Sequence, residues 1–468
     1  MEQPLLEKIK QKTSEKVTAA LGVLTEYLKL PSISAQNFGI QETVDYVAKM
    51  IEEAGGEVRI LNDLGGNPVV YAFFAAGEFG DTGKTLLFYN HYDVQPPEPL
   101  DEWKSDPFIP IIENDALFAR GVADNKGDLV ARLTAIKVLK EMGGLPCNVK
   151  FLIEGEEEIG SPNLEHYLKK YKELFAADAC IWEFGGKDEA ERINMVAGIK
   201  GMAYLELTCE GADIDMHSSV GAYIDNAAWR LVQALATLRN EQNEILVDGF
   251  FDGIIPPTEE EINAVKSLPF DEQATQRLYG LKRPLITAAK GQDPREAMVF
   301  DPTMTICGIV SGYTGEGSKT VLPKLAKAKL DCRLVPGQDP DHIMACVKKH
   351  LIENGFGDVE VTLLNGQKAY RSDFNDPFVK HVMKTANEVY EAGCVLAPNS
   401  VGTGPMYIFG EELGLPIVST GVGWVKSRAH APNESIRLAD LEQGIVHMAY
   451  MLTGLPEALR KSEEIIQA

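Results

Sequence analysis

The chain has 468 residues, and its 69 acidic and 45 basic side chains give a formal net charge of −24. This acidic balance argues against nucleic acid or an anionic membrane as a partner, because both require clustered lysine and arginine. A length of this kind suggests about three domains, and the content of 45% hydrophobic and 24% charged residues is typical of a globular protein.

Helical and strand-like patterns alternate over the first 198 residues. Apolar residues at helical spacing predict helices at residues 16–29, 41–54 and 126–142. Short, nearly continuous apolar runs predict strands at residues 69–75, 85–89, 149–153 and 180–182. Buried strands that are separated by helices are typical of a mostly parallel α/β sheet.

The pattern changes from about residue 198. Strands are predicted at residues 202–209, 327–334 and 359–364, and helices at residues 226–242 and 339–353. Residues 243–300 are rich in proline, glycine and acids and show no clear period. Patterns of the first kind return at about residue 376. We therefore predict an α/β catalytic domain made of residues 1–198 and 367–468, with an inserted α+β domain at residues 199–366.

The spacing of the cysteines and the length of the apolar runs indicate the cellular compartment of the protein. Seven cysteines are scattered and never spaced as C-x-x-C, which is typical of reduced thiols in a cytosol rather than of a disulfide framework. The first residues hold no apolar stretch of signal-peptide length, and the longest apolar runs are far shorter than the roughly 20 residues of a membrane helix. We therefore expect a cytoplasmic protein without a membrane partner.

Five clusters of acids and histidines fall at predicted strand ends or in loops. They centre on His91 with Asp93, on Asp124, on Glu156 to Glu158, on Glu183 and on His430. Sites in open α/β sheets form at the carboxyl ends of strands, and imidazole is a common metal ligand. Each cluster alone has a simpler explanation, since Asp124 could be a helix cap and the acidic run a solvated turn. Together, the two histidines, one acid that two ions could share and two further carboxylates fit a site for two metals.

The motifs around these clusters resemble one family over nearly the whole chain. In order, the motifs are His91-Tyr-Asp-Val-Gln-Pro, Trp103-Lys-Ser-Asp-Pro-Phe, Arg120-Gly-Val-Ala-Asp-Asn-Lys-Gly, Glu154-Gly-Glu-Glu-Glu-Ile-Gly-Ser, Lys319-Thr-Val-Leu-Pro, Arg333-Leu-Val-Pro and His430-Ala-Pro-Asn-Glu. The chain resembles the M20 family of zinc metallopeptidases, especially its cytosolic carnosine-dipeptidase-like branch. The resemblance implies a zinc-peptidase catalytic domain, with the inserted domain as a lid that forms a homodimer.

The resemblance also implies a ligand set. Asp124 would bridge two divalent metal ions about 3.5–4 Å apart. His91 and Glu183 would complete the protein ligands of one ion, and Glu158 and His430 those of the other. Zn²⁺ suits this mixture of nitrogen and oxygen ligands, and similar ligands accommodate Mn²⁺ or Co²⁺. The peptide bond after Asp124 is cis in such sites, which is uncommon before a residue other than proline.

Further roles follow from the same resemblance. Glu157 would be the general base, Asp93 would orient His91, and Arg333 would hold a substrate carboxylate. His217 would reach the active site of the partner subunit, where it would bind substrate and stabilise the oxyanion. On the residues alone, Arg333 could be an exposed edge residue, and His217 could be a capping or surface histidine.

These roles predict a two-metal-dependent amide hydrolase that cleaves dipeptides or similar small substrates with a free carboxylate. Two departures from the family's dipeptidases favour an alternative, an N-acyl-amino-acid deacylase or a carboxypeptidase. Glu183 stands where those dipeptidases have aspartate, and the loop Ser400-Val-Gly-Thr-Gly-Pro-Met lacks their Arg-Glu-Gly-Gly-Ser sequence. A hypothesis of another class, a non-catalytic metal-binding or interaction protein, is disfavoured by the intact Glu157 and the full ligand set.

Overall fold

The structure is a computed structural model that describes residues 2–467, with side chains described for residues 4–464. The chain forms two compact units. Unit 1 consists of Met1–Gly198, Arg371–Pro398 and Gly404–Ala468, and unit 2 of Ile199–Tyr370 and Asn399–Thr403.

Two of these boundaries differ from the predicted domain limits. Unit 2 extends to residue 370 instead of 366, and it includes the short segment 399–403, which the sequence placed in the catalytic domain. The segment belongs there because Ser400 forms a parallel bridge with Ile199 and the Thr403 hydroxyl donates to the Gly201 carbonyl. Such a pairing between residues far apart in sequence leaves no local pattern in the chain.

The helices of the described chain agree in position with most of the predicted ones. They are α1 (Glu2–Leu28), α2 (Ile40–Glu53), α3 (Gly127–Glu141), α4 (Leu164–Lys170), α5 (Lys172–Phe175), α6 (Ala227–Leu238), α7 (Glu259–Ser267), α8 (Glu272–Tyr279), α9 (Ile286–Lys290), α10 (Pro294–Phe300), α11 (Pro340–Glu353), α12 (Pro377–Val389), α13 (Met406–Glu412) and α14 (Leu438–Gln467). None of them is both long and apolar enough to cross a bilayer.

The strands of the described residues include every predicted strand and several short ones. They are β1 (Glu57–Leu61), β2 (Val69–Phe74), β3 (Asp81–His91), β4 (Ile111–Glu113), β5 (Ala116–Phe118), β6 (Cys147–Glu154), β7 (Ala179–Trp182), β8 (Gly186–Lys187), β9 (Ile193–Val196), β10 (Gly198–Ile199), β11 (Gly201–Glu210), β12 (Met216–His217), β13 (Thr305–Ser311), β14 (Val321–Leu322), β15 (Leu325–Leu334), β16 (Glu360–Gln367), β17 (Tyr370–Arg371), β18 (Cys394–Ala397), β19 (Ile417–Ser419), β20 (Gly423–Trp424) and β21 (Ser435–Arg437).

The main sheet of unit 1 has the strand order β1-β2-β6-β3-β7-β19. Strand β3 pairs in parallel with β6 and β7, and β7 pairs in parallel with β19. Strands β1 and β2 run antiparallel to their neighbours. The predicted α/β fold is confirmed, and the sheet is mixed, with three parallel and two antiparallel strand pairs. The connection at residues 62–68 between the paired strands β1 and β2 is too short for the crossover of a dozen or more residues that a parallel pair requires.

The core of unit 1 lies between this sheet and the helices around it. The central strands β3 and β6 are buried over most of their length, which explains their continuous apolar runs. Helix α3 packs against α1 and α14 and is buried nearly all round. Because α3 follows the loop that contains Asp124, the buried helix fixes the position of that loop.

Unit 2 is built on an antiparallel sheet of order β13-β15-β11-β16. Residues of β11 alternate between buried and partly exposed, so that one face packs against α6 and α11. The stretch at residues 243–300, which has no clear period, contains helices α7 to α10. These helices are short and largely exposed, so they carry too few buried residues to produce a hydrophobic period.

Candidate metal centre

The order of the strands brings the predicted residues to one edge of the sheet. Strand β3 lies between β6 and β7 and pairs with both in parallel, so that the carboxyl ends of all three meet. His91 is the last residue of β3, the acidic turn follows β6, and Glu183 follows β7. In unit 1 the structure brings together His91, Asp93, Asp124, Glu157, Glu158, Glu183 and His430.

Asp124 lies between the two histidines. Its Oδ1 is 3.0 Å from His91 Nε2, and its Oδ2 is 3.0 Å from His430 Nε2. Each histidine nitrogen also faces a second carboxylate: Glu183 Oε2 is 3.3 Å from His91 Nε2, and Glu158 Oε2 is 3.1 Å from His430 Nε2. The site therefore contains two sets of one imidazole and one carboxylate, with Asp124 common to both.

This arrangement fits metal ions on geometric grounds. Bonds of roughly 2.0–2.1 Å place two ligand atoms of a tetrahedral Zn²⁺ about 3.3 Å apart, close to the spacings between these nitrogen and oxygen atoms. Glu183 Oε2 is buried and receives no hydrogen bond from the described residues, although it faces His91. Ligand atoms of Asp124, Glu158 and His430 lie within 4.8 Å of one another, as do those of His91, Glu157 and Glu158.

The protonation of the site reflects crowded acids. Burial and the neighbouring carboxylates raise the pKa of Glu157 to about 8. Burial and the charge of Glu157 raise the pKa of Glu183 well above its usual range. Hydrogen bonds to Asp124 and Glu158 raise the pKa of His430 to about 10. Protons on the carboxylates and imidazoles thus compensate the negative charge of the clustered acids. Bound divalent cations would compensate the same charge.

Asp93 faces His91 Nδ1 with both its backbone carbonyl and its carboxylate. His91 Nδ1 makes a 3.0 Å hydrogen bond with the Asp93 backbone carbonyl. The Asp93 carboxylate lies 3.4 Å from Nδ1 and accepts the backbone N–H groups of Glu157 and Glu158, at 3.3 and 3.1 Å. Asp93 therefore links the orientation of His91 to the position of the acidic turn.

The loop that carries Asp124 is held by buried polar side chains. The backbone N–H groups of Ala123 and Asp124 donate to Glu434 Oε1 at 2.8 and 3.1 Å. Asn125 donates to the Glu183 carbonyl at 2.7 Å, and the peptide bond between Asp124 and Asn125 is cis, as the resemblance implies. The alternative of Asp124 as a helix cap is wrong, because α3 begins at Gly127 without a side-chain cap.

Arg132 on α3 connects the strand ends beneath the site, a feature that the sequence reasoning missed. Its Nη1 donates to the Tyr89 carbonyl at 2.7 Å and to Asn90 Oδ1 at 2.8 Å. Its Nη2 donates to the carbonyls of Trp182, Glu183 and Thr420. The available signal was a pair of charged residues, Asp128 and Arg132, that lie one turn apart in a largely apolar helix.

His217 and Arg333 belong to unit 2. His217 ends strand β12 and is exposed, and its Nδ1 accepts the Ser219 backbone N–H at 3.2 Å. Because Nδ1 is an acceptor, the neutral imidazole carries its proton on Nε2. Arg333 lies near the end of β15, where its Nε donates to Asp331 at 3.0 Å and its Nη1 to Thr403 at 2.6 Å.

Comparisons with known proteins identify the family of this chain. The profile of peptidase family M20/M25/M40 matches residues 87–454. The structure of an M20 family metallo-carboxypeptidase from Sulfolobus solfataricus is 41% identical with a TM-score of 0.85, and the match covers 94% of this chain and 99% of that one. Human carnosine dipeptidase 1 is 25% identical with a TM-score of 0.77, over 97% and 99% of the two chains.

Two relatives that are similar in sequence are dipeptidases. The Cys-Gly metallodipeptidase of Schizosaccharomyces pombe is 28% identical, over 94% of this chain and 95% of the relative. The human Beta-Ala-His dipeptidase is 27% identical, over 81% and 73% of the two sequences. With the family profile spanning most of its length, this chain belongs to peptidase family M20/M25/M40 and is a peptide-bond hydrolase.

Proposed function

We propose that this enzyme uses two divalent metal ions to cleave dipeptides or similar small substrates with a free carboxylate. The observation that carries the proposal is Asp124, whose two oxygens each lie 3.0 Å from a different histidine nitrogen. His91 and Glu183 would hold one ion with Asp124, and Glu158 and His430 the other. Zn²⁺ fits this mixture of ligands, and Mn²⁺ or Co²⁺ is accommodated by the same atoms.

Glu157 is proposed as the general base. The bound metal ions supply Lewis-acid polarisation of the scissile carbonyl and make the attacking water more acidic. Glu157 accepts the proton of that water and delivers it to the leaving amine nitrogen, so that one carboxylate serves both transfers. One carboxylate oxygen of Glu157 lies within 4.8 Å of the potential ligand atoms of His91 and Glu158, which supports a role beside the proposed metal ligands.

Arg333 and His217 are proposed to recognise the substrate. Two of the Arg333 nitrogens donate to Asp331 and Thr403, while no hydrogen bond of the described residues reaches Nη2, which is free to bind a carboxylate. His217 Nε2, which lies 3.2 Å from the Thr320 hydroxyl, is the proposed donor to the oxyanion. In the proposed homodimer, His217 of the partner subunit provides this donor.

The proposed homodimer has a structural candidate for its interface in unit 2. Strand β13 lies at the edge of its sheet, and all its residues but the last are exposed. Ile306, Ile309 and Val310 on this strand are large exposed apolar side chains. An unpaired edge strand with apolar side chains pairs readily with another strand. We therefore place the contact between subunits at β13.

A carboxypeptidase or N-acyl-amino-acid deacylase is the second candidate. The relative with 41% identity is a metallo-carboxypeptidase, whereas the dipeptidase relatives are 25–28% identical. Glu183 is one methylene longer than the aspartate of the family's dipeptidases. The loop at residues 400–406 also lacks their Arg-Glu-Gly-Gly-Ser sequence. Both candidates bind a free carboxylate, and they differ in whether the group on the amino side of the scissile bond is a residue with a free amino group.

A panel of substrates distinguishes the two. Free dipeptides, the same dipeptides with an N-acetyl group, longer peptides, N-acetyl amino acids and N-succinyl amino acids are incubated with enzyme that has been chelated and then resupplied with metal. The proposal predicts metal-restored cleavage of free dipeptides with the highest kcat/KM. Cleavage of only blocked or longer substrates would favour the second candidate, and the absence of metal-restored cleavage would contradict both.

A further inference from the structure

A cavity of about 750 Å³ lies within unit 2. The cavity is bordered by helices α9 and α10 and by the residues that follow α8. Residues 301–305, which lead into β13, form another part of its wall. None of the predicted metal ligands or substrate-binding residues lines it. Pockets that bind small molecules have volumes of roughly 300–1,000 Å³, so this cavity has the size of a ligand site.

Much of its wall is apolar and partly open to water. Phe270, Ile286 and Met298 line the cavity, and they are 37%, 50% and 46% exposed. Ile245 and Leu285 add further apolar surface. Large apolar side chains that gather around one concave surface mark a place where an apolar molecule can be removed from water.

The charges around the cavity are predominantly positive. Arg239, Lys282, Arg283 and Lys290 line it, and Asp301 is the single lining carboxylate. Asp301 already accepts a hydrogen bond from Gln292 at 2.7 Å. Within the described part of the chain, no carboxylate lies within 4.0 Å of the nitrogens of these four cations. The cavity therefore favours a ligand with negative charge.

Arg239 supplies the most specific feature. Its Nη1 donates to the Met304 carbonyl at 3.2 Å, but its buried Nε has no hydrogen-bond partner. No hydrogen bond of the described residues reaches Nη2 either. The Thr287 hydroxyl, which also lines the cavity, is buried without a partner. Buried donors without partners are unfavourable, and an oxygen of a ligand would satisfy them.

The geometry points to one class of ligand. We propose that this cavity binds a small amphipathic anion, an apolar molecule that carries one carboxylate. The Nε and Nη2 groups form the edge of a planar guanidinium that matches the two oxygens of a carboxylate. The apolar part of the ligand then lies against Phe270, Ile286 and Met298. This binding site is additional to the proposed hydrolytic site and does not depend on catalysis.

Calorimetric titration of the full-length protein with decanoate tests the proposal. We expect one saturable equivalent per chain, with decanol and acetate binding at least tenfold more weakly, because each lacks one of the two parts. The titration is repeated after chelation, so that a carboxylate bound to metal is recognised by its loss. Binding that disappears on chelation, or decanol that binds as tightly as decanoate, would overturn the proposal.

Matched variants locate the bound molecule. Arg239→Gln should weaken decanoate binding at least tenfold, whereas Arg277→Gln, an exposed arginine on α8 that does not line the cavity, should leave it unchanged. Ala297→Trp fills the cavity and should also abolish binding, which provides a second variant if Arg239→Gln does not fold. Wild-type affinity in a folded Arg239→Gln or Ala297→Trp protein would show that decanoate binds elsewhere.

Discussion

Glu157 carries both proton transfers in the proposed reaction. The Glu157→Gln side chain keeps nearly the same shape but accepts no proton, so kcat should fall by about 10²–10⁴-fold while the metal content stays unchanged. Steady-state kinetics and elemental analysis of the purified variant measure the two quantities.

The neighbouring acid provides the control. Glu156→Gln alters a side chain that accepts hydrogen bonds from Asn67 and Asn163, and we expect it to retain most of the activity. A Glu157→Gln enzyme with wild-type turnover, or one that has lost its metal, would exclude Glu157 as the base.

His447 provides a pH-dependent contribution to stability. Burial lowers its pKa to about 4, below the value of about 6.5 for an unfolded chain. The folded state therefore disfavours the protonated imidazole, so this contribution is complete above pH 6.5 and decreases as the pH falls toward 4. The loss over this window is about 3 kcal/mol.

Chelated wild-type and His447→Gln proteins are compared by urea unfolding from pH 7.5 to 4. The free energy of unfolding of the variant should decrease less over this range, because it has no imidazole to protonate at this position. Parallel curves for the two proteins would contradict the assignment.

The residue types and motifs indicate the side chains around the proposed metal ions, but not the hydrogen bonds that hold those side chains in position. His91, Glu158 and Glu183 follow apolar strands, which is a pattern that the sequence displays, whereas Asp124 and His430 lie in loops and are indicated by their motifs. The roles of Asn125, Glu434 and the Asp93 carboxylate depend on hydrogen bonds across the fold. No spacing in the sequence shows which of an aspartate's oxygens contacts a histidine.

At the level of elements, Arg132 joins helix α3 to the ends of β3 and β7. Arg132→Met retains an apolar stem and leaves several buried carbonyl oxygens without donors. We expect the free energy of unfolding to fall by about 3 kcal/mol or more, with weaker metal binding, because the Glu183 backbone loses a hydrogen bond. Urea unfolding followed by tryptophan fluorescence, to which the buried Trp182 contributes, measures the first effect.

Arg460→Met is the control for this change. Arg460 is an exposed arginine that pairs with Asp81, and exposed ion pairs contribute only about 0–1 kcal/mol. Equal stability of the two variants would mean that Arg132 does not hold the strand ends together.

Whether a helix or strand can be predicted from the sequence depends on how much of it is buried. Strands β3 and β6 are buried on both faces and helix α2 buries one stripe, so their patterns are continuous in the sequence. Helix α8 has no buried residue, and α9 has none either. Hydrophobic periodicity reports burial, and it therefore cannot detect helices that bury little.

At the scale of the whole molecule, the proposed homodimer depends on β13. Val310→Lys places a charge on the exposed edge strand, and we expect the dimer to dissociate in light scattering coupled to size exclusion. Its kcat should fall as well, because His217 of the partner subunit would no longer reach the substrate.

Ile352→Lys is the control. It tests whether lysine in place of another exposed apolar residue of unit 2 also dissociates the dimer. Ile352 is exposed on α11, and its replacement should leave the dimer and the activity unchanged. A Val310→Lys protein that remains dimeric would place the interface elsewhere, and a fully active monomer would contradict the role of His217.

The central claim is that two metal ions share Asp124, and a metal titration of the chelated enzyme tests it most directly. Zn²⁺ is added stepwise while bound metal and dipeptide hydrolysis are recorded together, and the series is repeated with Mn²⁺, Co²⁺ and a His430→Ala variant. We predict binding of two ions per chain, full activity only after the second ion, and loss of one ion in the variant. Full activity with one ion per chain, or two ions retained by His430→Ala, would contradict the account.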